Sequence, residues 1–260
     1  MKKLRAAKMI ELLDINLYAY AMVFCRLGAV FMLMPGFSAS YVNTQIRLVF
    51  ALALTLILMP VLSSEIPARP TDESLMLQYI LNEITIGVFL GVILQVLFFA
   101  LNFAGSIASQ AIGFANAQMF DPAFQTQTML IETFLSITAL TFIFMADIHH
   151  LMLEGIVDSY HLFAPGEQIL WQDLSAHLVQ TVSASFAFGF KLGAPFIAFT
   201  IIFYAGMGLI SRLMPQLNIF FLSLPLQIYL GLGLLFLTVP IVITVFFEYF
   251  DDNLYLLTGK

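Results

Sequence analysis

The apolar residues of this 260-residue chain gather into six blocks: Ile15–Met34, Ile46–Leu62, Ile80–Leu101, Met129–Met145, Thr181–Ile210 and Leu222–Phe247. A run of about twenty apolar residues is long enough for a helix to cross a bilayer, at roughly 1.5 Å per residue. Hydrophobic residues make up 61% of the chain and charged residues only 10%, with a mean hydropathy of +0.96. Soluble domains carry about a quarter charged residues, so this chain has too few polar side chains to coat a soluble surface. The expected fold is an all-α membrane protein of about six hydrophobic helical segments, forming a single polytopic domain over residues 1–260.

Charge and cysteine content exclude further classes. The net charge is −6, and the ten Lys and Arg are scattered apart from Lys2, Lys3, Arg5 and Lys8. Nucleic-acid binding therefore has no electrostatic footprint. The single cysteine, Cys25, lies in an apolar run, which rules out an internal disulfide and a cysteine-based metal cluster. The basic start is separated from the first apolar block by Glu11 and Asp14, and Arg26 lies within that block. The block is also too long for a signal-peptide core, so a retained first span is expected. The Lys and Arg distribution favours cytoplasmic N- and C-termini for six crossings.

Two blocks are wrong for simple spans. Thr181–Ile210 would form a helix of about 45 Å, well beyond a hydrocarbon core of about 30 Å, and it contains Gly193-Ala194-Pro195. Leu222–Phe247 carries Pro225 and Pro240. Hairpins or broken helices packed on protein are expected there. The pairs Gly87/Gly91 and Gly189/Gly193 have the spacing of close helix packing.

Charges inside apolar blocks are costly and mark candidate sites. They are Arg26, Glu83, Glu132, Lys191 and Arg212. Arg26 and Lys191 sit deepest and are expected to be buried against carboxylates, carbonyls or a subunit interface. The segment Ala104–Gln127 is the most unusual: small residues alternate with Gln110, Asn116, Gln118, Gln125 and Gln127, and Asp121 is its only formal charge. Buried amides need partners, and small residues allow close backbone approach, which suits a lining or plug that does not trap charged cargo. An exposed connecting loop would leave Ile107, Ile112, Phe114, Met119 and Phe120 in water. Asp147, His149 and His150 bring imidazole and carboxylate into one stretch. Adjacent histidines point about 100° apart on a helix, and no HExxH occurs, so capping and packing are expected and no metal. No Walker, GxGxxG or GxSxG motif occurs either.

Four stretches in order carry a resemblance over nearly the whole chain. They are Arg26-Leu-Gly-Ala with Pro35; Gly113-Phe-Ala-Asn-Ala-Gln-Met-Phe-Asp-Pro122; Asp147-Ile-His-His150 leading to Asp158-Ser-Tyr160; and Ser211-Arg-Leu-Met-Pro-Gln-Leu-Asn-Ile-Phe220 before Leu224-Pro225. The chain resembles the FliR family of flagellar type III export proteins, whose virulence branch is the SctT family. The resemblance implies a non-enzymatic, cofactor-free subunit of an export gate in the bacterial inner membrane, at the flagellar basal body. It implies FliP and FliQ as gate partners, FlhB and FlhA as further machinery, and unfolded flagellar proteins as cargo. Helical hairpins like a fused FliP and FliQ are implied as well. So is a pore-occluding loop, which by position matches Gly105–Asp121. In that reading Gly113, Phe114, Asn116, Gln118, Met119, Phe120, Asp121 and Pro122 make the plug. The flagellar version fits the Gly113–Pro122 and Pro215–Phe220 stretches better than the injectisome version.

Two other classes compete. A secondary transporter would use Arg26, Lys191 and Glu132 on its substrate or proton path, but such transporters usually carry internal repeats and none is visible. An intramembrane metallohydrolase would use Asp147, His149 and His150.

Overall fold

The computed structural model describes residues 2–38, 42–113, 130–167, 169–216 and 219–258, with side chains described from Leu17 onward except at 219, 220, 222 and 255–258. Among these residues every regular element is a helix: α1 (Lys2–Leu33), α2 (Thr44–Leu62), α3 (Glu73–Ile112), α4 (Leu130–Met145), α5 (Ile148–Leu162), α6 (Trp171–Leu213) and α7 (Ile219–Thr258). Each apolar block of the sequence coincides with a helix over its described residues, apart from Met34 just past the end of α1, as an all-α membrane protein requires. By length and composition, α2, α3, α6 and Ser223–Leu254 of α7 can each cross a membrane. Taken together, α4 and α5 would make a fifth span. Among the described residues the first apolar block contributes the shorter apolar helix Leu17–Leu33, so the six hydrophobic helical segments expected from the sequence are present, four or five of them long and apolar enough to span.

Local signals set several helix ends. Asn43 accepts a hydrogen bond from the Gln45 amide at 3.0 Å and caps α2. Asp72 accepts from the Ser74 amide at 3.0 Å and starts α3. Such side chains satisfy donors that a helix N-terminus leaves open. The interruptions expected at Pro195, Pro225 and Pro240 do not occur, since all three prolines lie inside continuous helices. Proline removes one backbone donor and crowds the preceding turn, a defect that long apolar helices tolerate when neighbours satisfy the freed groups. At 1.5 Å per residue, the 40 residues of α3 and the 43 of α6 each extend to about 60 Å, roughly twice a hydrocarbon core.

The chain divides into two compact units: residues 1–95, 147–179 and 253–260 form the first, and 96–146 with 180–252 the second. The core of the first holds Met22, Val23, Leu27, Phe31, Ile93 and Tyr160. Phe31, Phe37 and Phe50 pack there with ring centroids 5.2–5.4 Å apart. In the second, Phe98 meets Phe246 edge to face at 6.0 Å, and Leu101, Leu135 and Phe250 are buried. On α2 the buried residues are Ala51, Thr55, Met59 and Leu62, a single face, while Ile46, Val49, Ile57 and Val61 are exposed. On α4 the same pattern gives Ile131, Leu135, Ala139 and Ile143. The exposed faces are as apolar as the covered ones, which fits lipid or other helices as their neighbours.

Candidate functional site

Arg26, on α1, is fully buried in the first unit. A guanidinium there needs all five of its N–H donors satisfied, and each finds an acceptor. Nε and an Nη donate side-on to the two Glu83 oxygens at 2.7 and 2.9 Å. The same Nη donates to the Phe163 carbonyl at 2.9 Å. The other Nη donates to the Ser159 carbonyl at 3.1 Å and to Ser159 Oγ at 3.3 Å. Ser159 Oγ is oriented to accept because it donates its own proton to the Ile156 carbonyl at 2.6 Å. The Tyr160 ring lies under the guanidinium, 3.9 Å from Cζ to centroid, a cation–π contact that desolvation strengthens.

This arrangement follows from how helices end. The last four carbonyls of a helix have no partner within it, and the dipole there favours a cation. Ser159 lies in the last turn of α5, and Phe163 caps it. Arg26 therefore closes the C-terminus of α5 while its bidentate ion pair joins α1 to α3. Gly87 lets those two helices meet: a Cβ there would fall against the Arg26 carbonyl and 2.8 Å from Ala29 Cβ. Gly91 sits likewise against Leu33.

The second unit repeats the device without charge. The C-terminus of α3 ends in the buried side chain of Gln227, whose Nε2 donates to the Ala111 carbonyl at 2.7 Å. Gly113 follows with φ +88°, a left-handed conformation that glycine adopts freely. A Cβ on Gly113 would lie 3.1–3.3 Å from the Gln227 amide. Gly189 and Gly193 of α6 press on the Ala100 carbonyl and on Ile107 of α3.

The sequence candidates fall as follows. Gly113 is described, whereas Phe114, Asn116, Gln118, Met119, Phe120, Asp121 and Pro122 lie outside the described residues. Residues 105–112, expected in the loop, instead complete α3. Ala104, Ala108 and Ala111 are buried there, and Gly105 packs on the Glu132 backbone, so small residues serve helix packing. Lys191 is exposed on the single chain. It stands between Gly189 and Gly193, which face α3, and two residues along a helix turn it about 200° away from them. Glu132 is half-buried and Arg212 exposed. Asp147, His149 and His150 do converge, with donor atoms within 4.8 Å of one another.

Sequence reasoning named Arg26 and Glu83 separately but could not pair them, and it missed Gln227. A signal for Gln227 exists: it is the lone amide of the Leu222–Phe247 block, and an amide in such a block needs a partner.

A family model described as bacterial export proteins, family 1, matches residues 17–253. The flagellar biosynthetic protein FliR of Caulobacter vibrioides is 36% identical over 223 residues, covering 86% of this chain and 89% of that protein. FliR of Bacillus subtilis is 29% identical over 87% of this chain and 88% of its own length. The Yop proteins translocation protein T of Yersinia pestis is 26% identical over 84% of each.

Proposed function

The chain belongs to the bacterial export proteins, family 1, and from that premise we propose that it is a non-enzymatic gate subunit of the flagellar export apparatus. Its family is a membrane component of type III protein export. In the proposed assembly it joins FliP and FliQ around a channel for unfolded flagellar proteins, in the bacterial inner membrane, with FlhB and FlhA completing the machinery. The chain acts as one gate domain. The observation that carries this reading is the match over residues 17–253, almost the whole chain. Long helices whose exposed faces remain apolar support it, because such faces suit packing against other helical subunits.

The pore plug is proposed to run from Gly113 through Phe114, Asn116, Gln118, Met119, Phe120 and Asp121 to Pro122. Supporting it are the uncharged, amide-rich sequence and the fixed departure point, a left-handed glycine seated on Gln227. The flagellar system is favoured over the injectisome by the 36% identity to a flagellar relative, against 26% to the Yop translocation protein.

The test is native mass spectrometry of the tagged chain, purified in mild detergent from cells expressing its neighbouring genes. One copy bound to several copies of two smaller helical membrane proteins is expected. A monomer or simple homo-oligomer, with those neighbours present, would overturn the gate reading and favour a transporter.

A further inference from the structure

We infer that Asp147, His149 and His150 form a binding site for a divalent transition-metal ion of the zinc class. Regular helix geometry would splay adjacent histidines about 100° apart, yet the His149 and His150 ring centroids are only 4.1 Å apart. Asp147, directly before them, has φ 58° and ψ 15° and is the one non-glycine residue with positive φ among those described. A left-handed residue directly before α5 sets how its carboxylate approaches the first turn, where both imidazoles stand. One donor atom from each of the three lies within 4.8 Å of the others.

The carboxylate is not occupied in the way its position would suggest. Asp147 is the N-cap residue of α5 but makes no side-chain capping bond, unlike Asn43 on α2. Asp147 Oδ1 instead faces His150 Nδ1 at 3.5 Å. That separation is long for a hydrogen bond. It equals the roughly 3.3–3.5 Å between ligand atoms that tetrahedral bonds of about 2.0–2.1 Å impose. Two imidazoles and a carboxylate are the donor set that borderline divalent ions prefer. Both Asp147 and His150 are exposed, which leaves coordination positions open to water or to a donor from elsewhere.

A second observation points the same way. His150 also lines a cavity of about 390 Å³ together with Glu154, Asp158, Leu54 and Leu58. His150, Glu154 and Asp158 follow one another at four-residue spacing on one face of α5, and Asp158 Oδ2 is buried with no hydrogen-bond partner. A cleft lined by two carboxylates concentrates cations beside His150.

The test uses the full chain, purified in mild detergent through a tag without histidine and stripped with EDTA. It is equilibrated with zinc chloride and gel-filtered, and zinc is counted by mass spectrometry; cobalt chloride in place of zinc reports the geometry in its visible spectrum. One zinc per chain and a tetrahedral cobalt spectrum are expected. His149→Ala, His150→Ala and Asp147→Asn should each weaken binding by about tenfold or more, since even outer-shell partners are worth that much. Asn tolerates the left-handed backbone, so the last variant keeps the fold. The double variant His161→Ala, His177→Ala should bind as the parent does. Failure of the parent chain to retain zinc, or equal retention by the His149 and His150 variants, would overturn the site.

Discussion

Arg26 and Glu83, 57 residues apart in sequence, form a side-on ion pair of 2.7 and 2.9 Å that is sealed from solvent. The pair stands where α1, α3 and the end of α5 come together, and the carbonyls of Ser159 and Phe163 complete the guanidinium shell. This arrangement of the three elements satisfies all five guanidinium donors at once.

Loss of one partner should therefore cost far more than loss of both. Arg26→Met or Glu83→Leu leaves a buried charge without its counterion, which destabilises by about 3–5 kcal/mol. The double variant should recover much of that loss, since an apolar replacement of both charges is often neutral. Thermal unfolding of the purified chain in detergent measures this. Additive losses in the double variant would mean that the pair is not coupled.

Close helix approach gives a second, internally controlled prediction. Gly87→Ala drives a Cβ into the Arg26 carbonyl and Ala29, so overpacking of about 1–3 kcal/mol is expected. Gly206→Ala meets nothing within 4 Å and should stabilise slightly, by up to about 1 kcal/mol, through helix propensity. Comparing melting temperatures of the two variants checks it; equal shifts would rule out α1–α3 contact as the cause.

The helical class and the apolar blocks were legible because hydropathy over about twenty residues is a local property. The helix α5 was not. His149, His150, Glu154, Asp158 and His161 make its sequence look like a polar connection, and only packing shows its buried face of Ile148, Met152, Ile156 and Tyr160. Lys191 is exposed on the single chain, and depth within an apolar run does not reveal which side of the helix a residue occupies. Arg26 could be flagged but not paired, since its partners arrive from 57, 133 and 137 residues away. The approach of the Asp147 carboxylate to His149 and His150 involves a left-handed residue before α5, which helix periodicity cannot anticipate.

At the start of α3 the expected behaviour depends on pH. The Ser74 amide and hydroxyl both donate to Asp72 Oδ1, at 3.0 and 2.9 Å, and hold its carboxyl below the usual carboxylate range. A depressed carboxyl stabilises the folded state above its unfolded pKa, and that contribution disappears as pH falls through the folded value. Amide exchange in the first turn of α3, corrected for intrinsic rates, should therefore accelerate on acidification below the ordinary aspartate range. Asp72→Ala should remove the dependence; an unchanged profile in that variant would assign it to another group.

The hinge at Gly113 links packing to the proposed gating. Gln227→Leu removes the donor from the Ala111 carbonyl at the end of α3 and leaves that buried acceptor unsatisfied, at about 1–3 kcal/mol. Gly113→Ala acts on the other side of the same contact. It forces an alanine to φ +88°, costing about 1–2 kcal/mol, and crowds the Gln227 amide. If the plug departs from this hinge, both variants should raise ion conductance of the assembled gate in planar bilayers while subunit stoichiometry stays fixed. Gly208→Ala, in open space on α6, should leave conductance unchanged. A correctly assembled gate that stays closed in both hinge variants would detach the plug from Gly113, and would leave Gln227 as a cap for α3 alone.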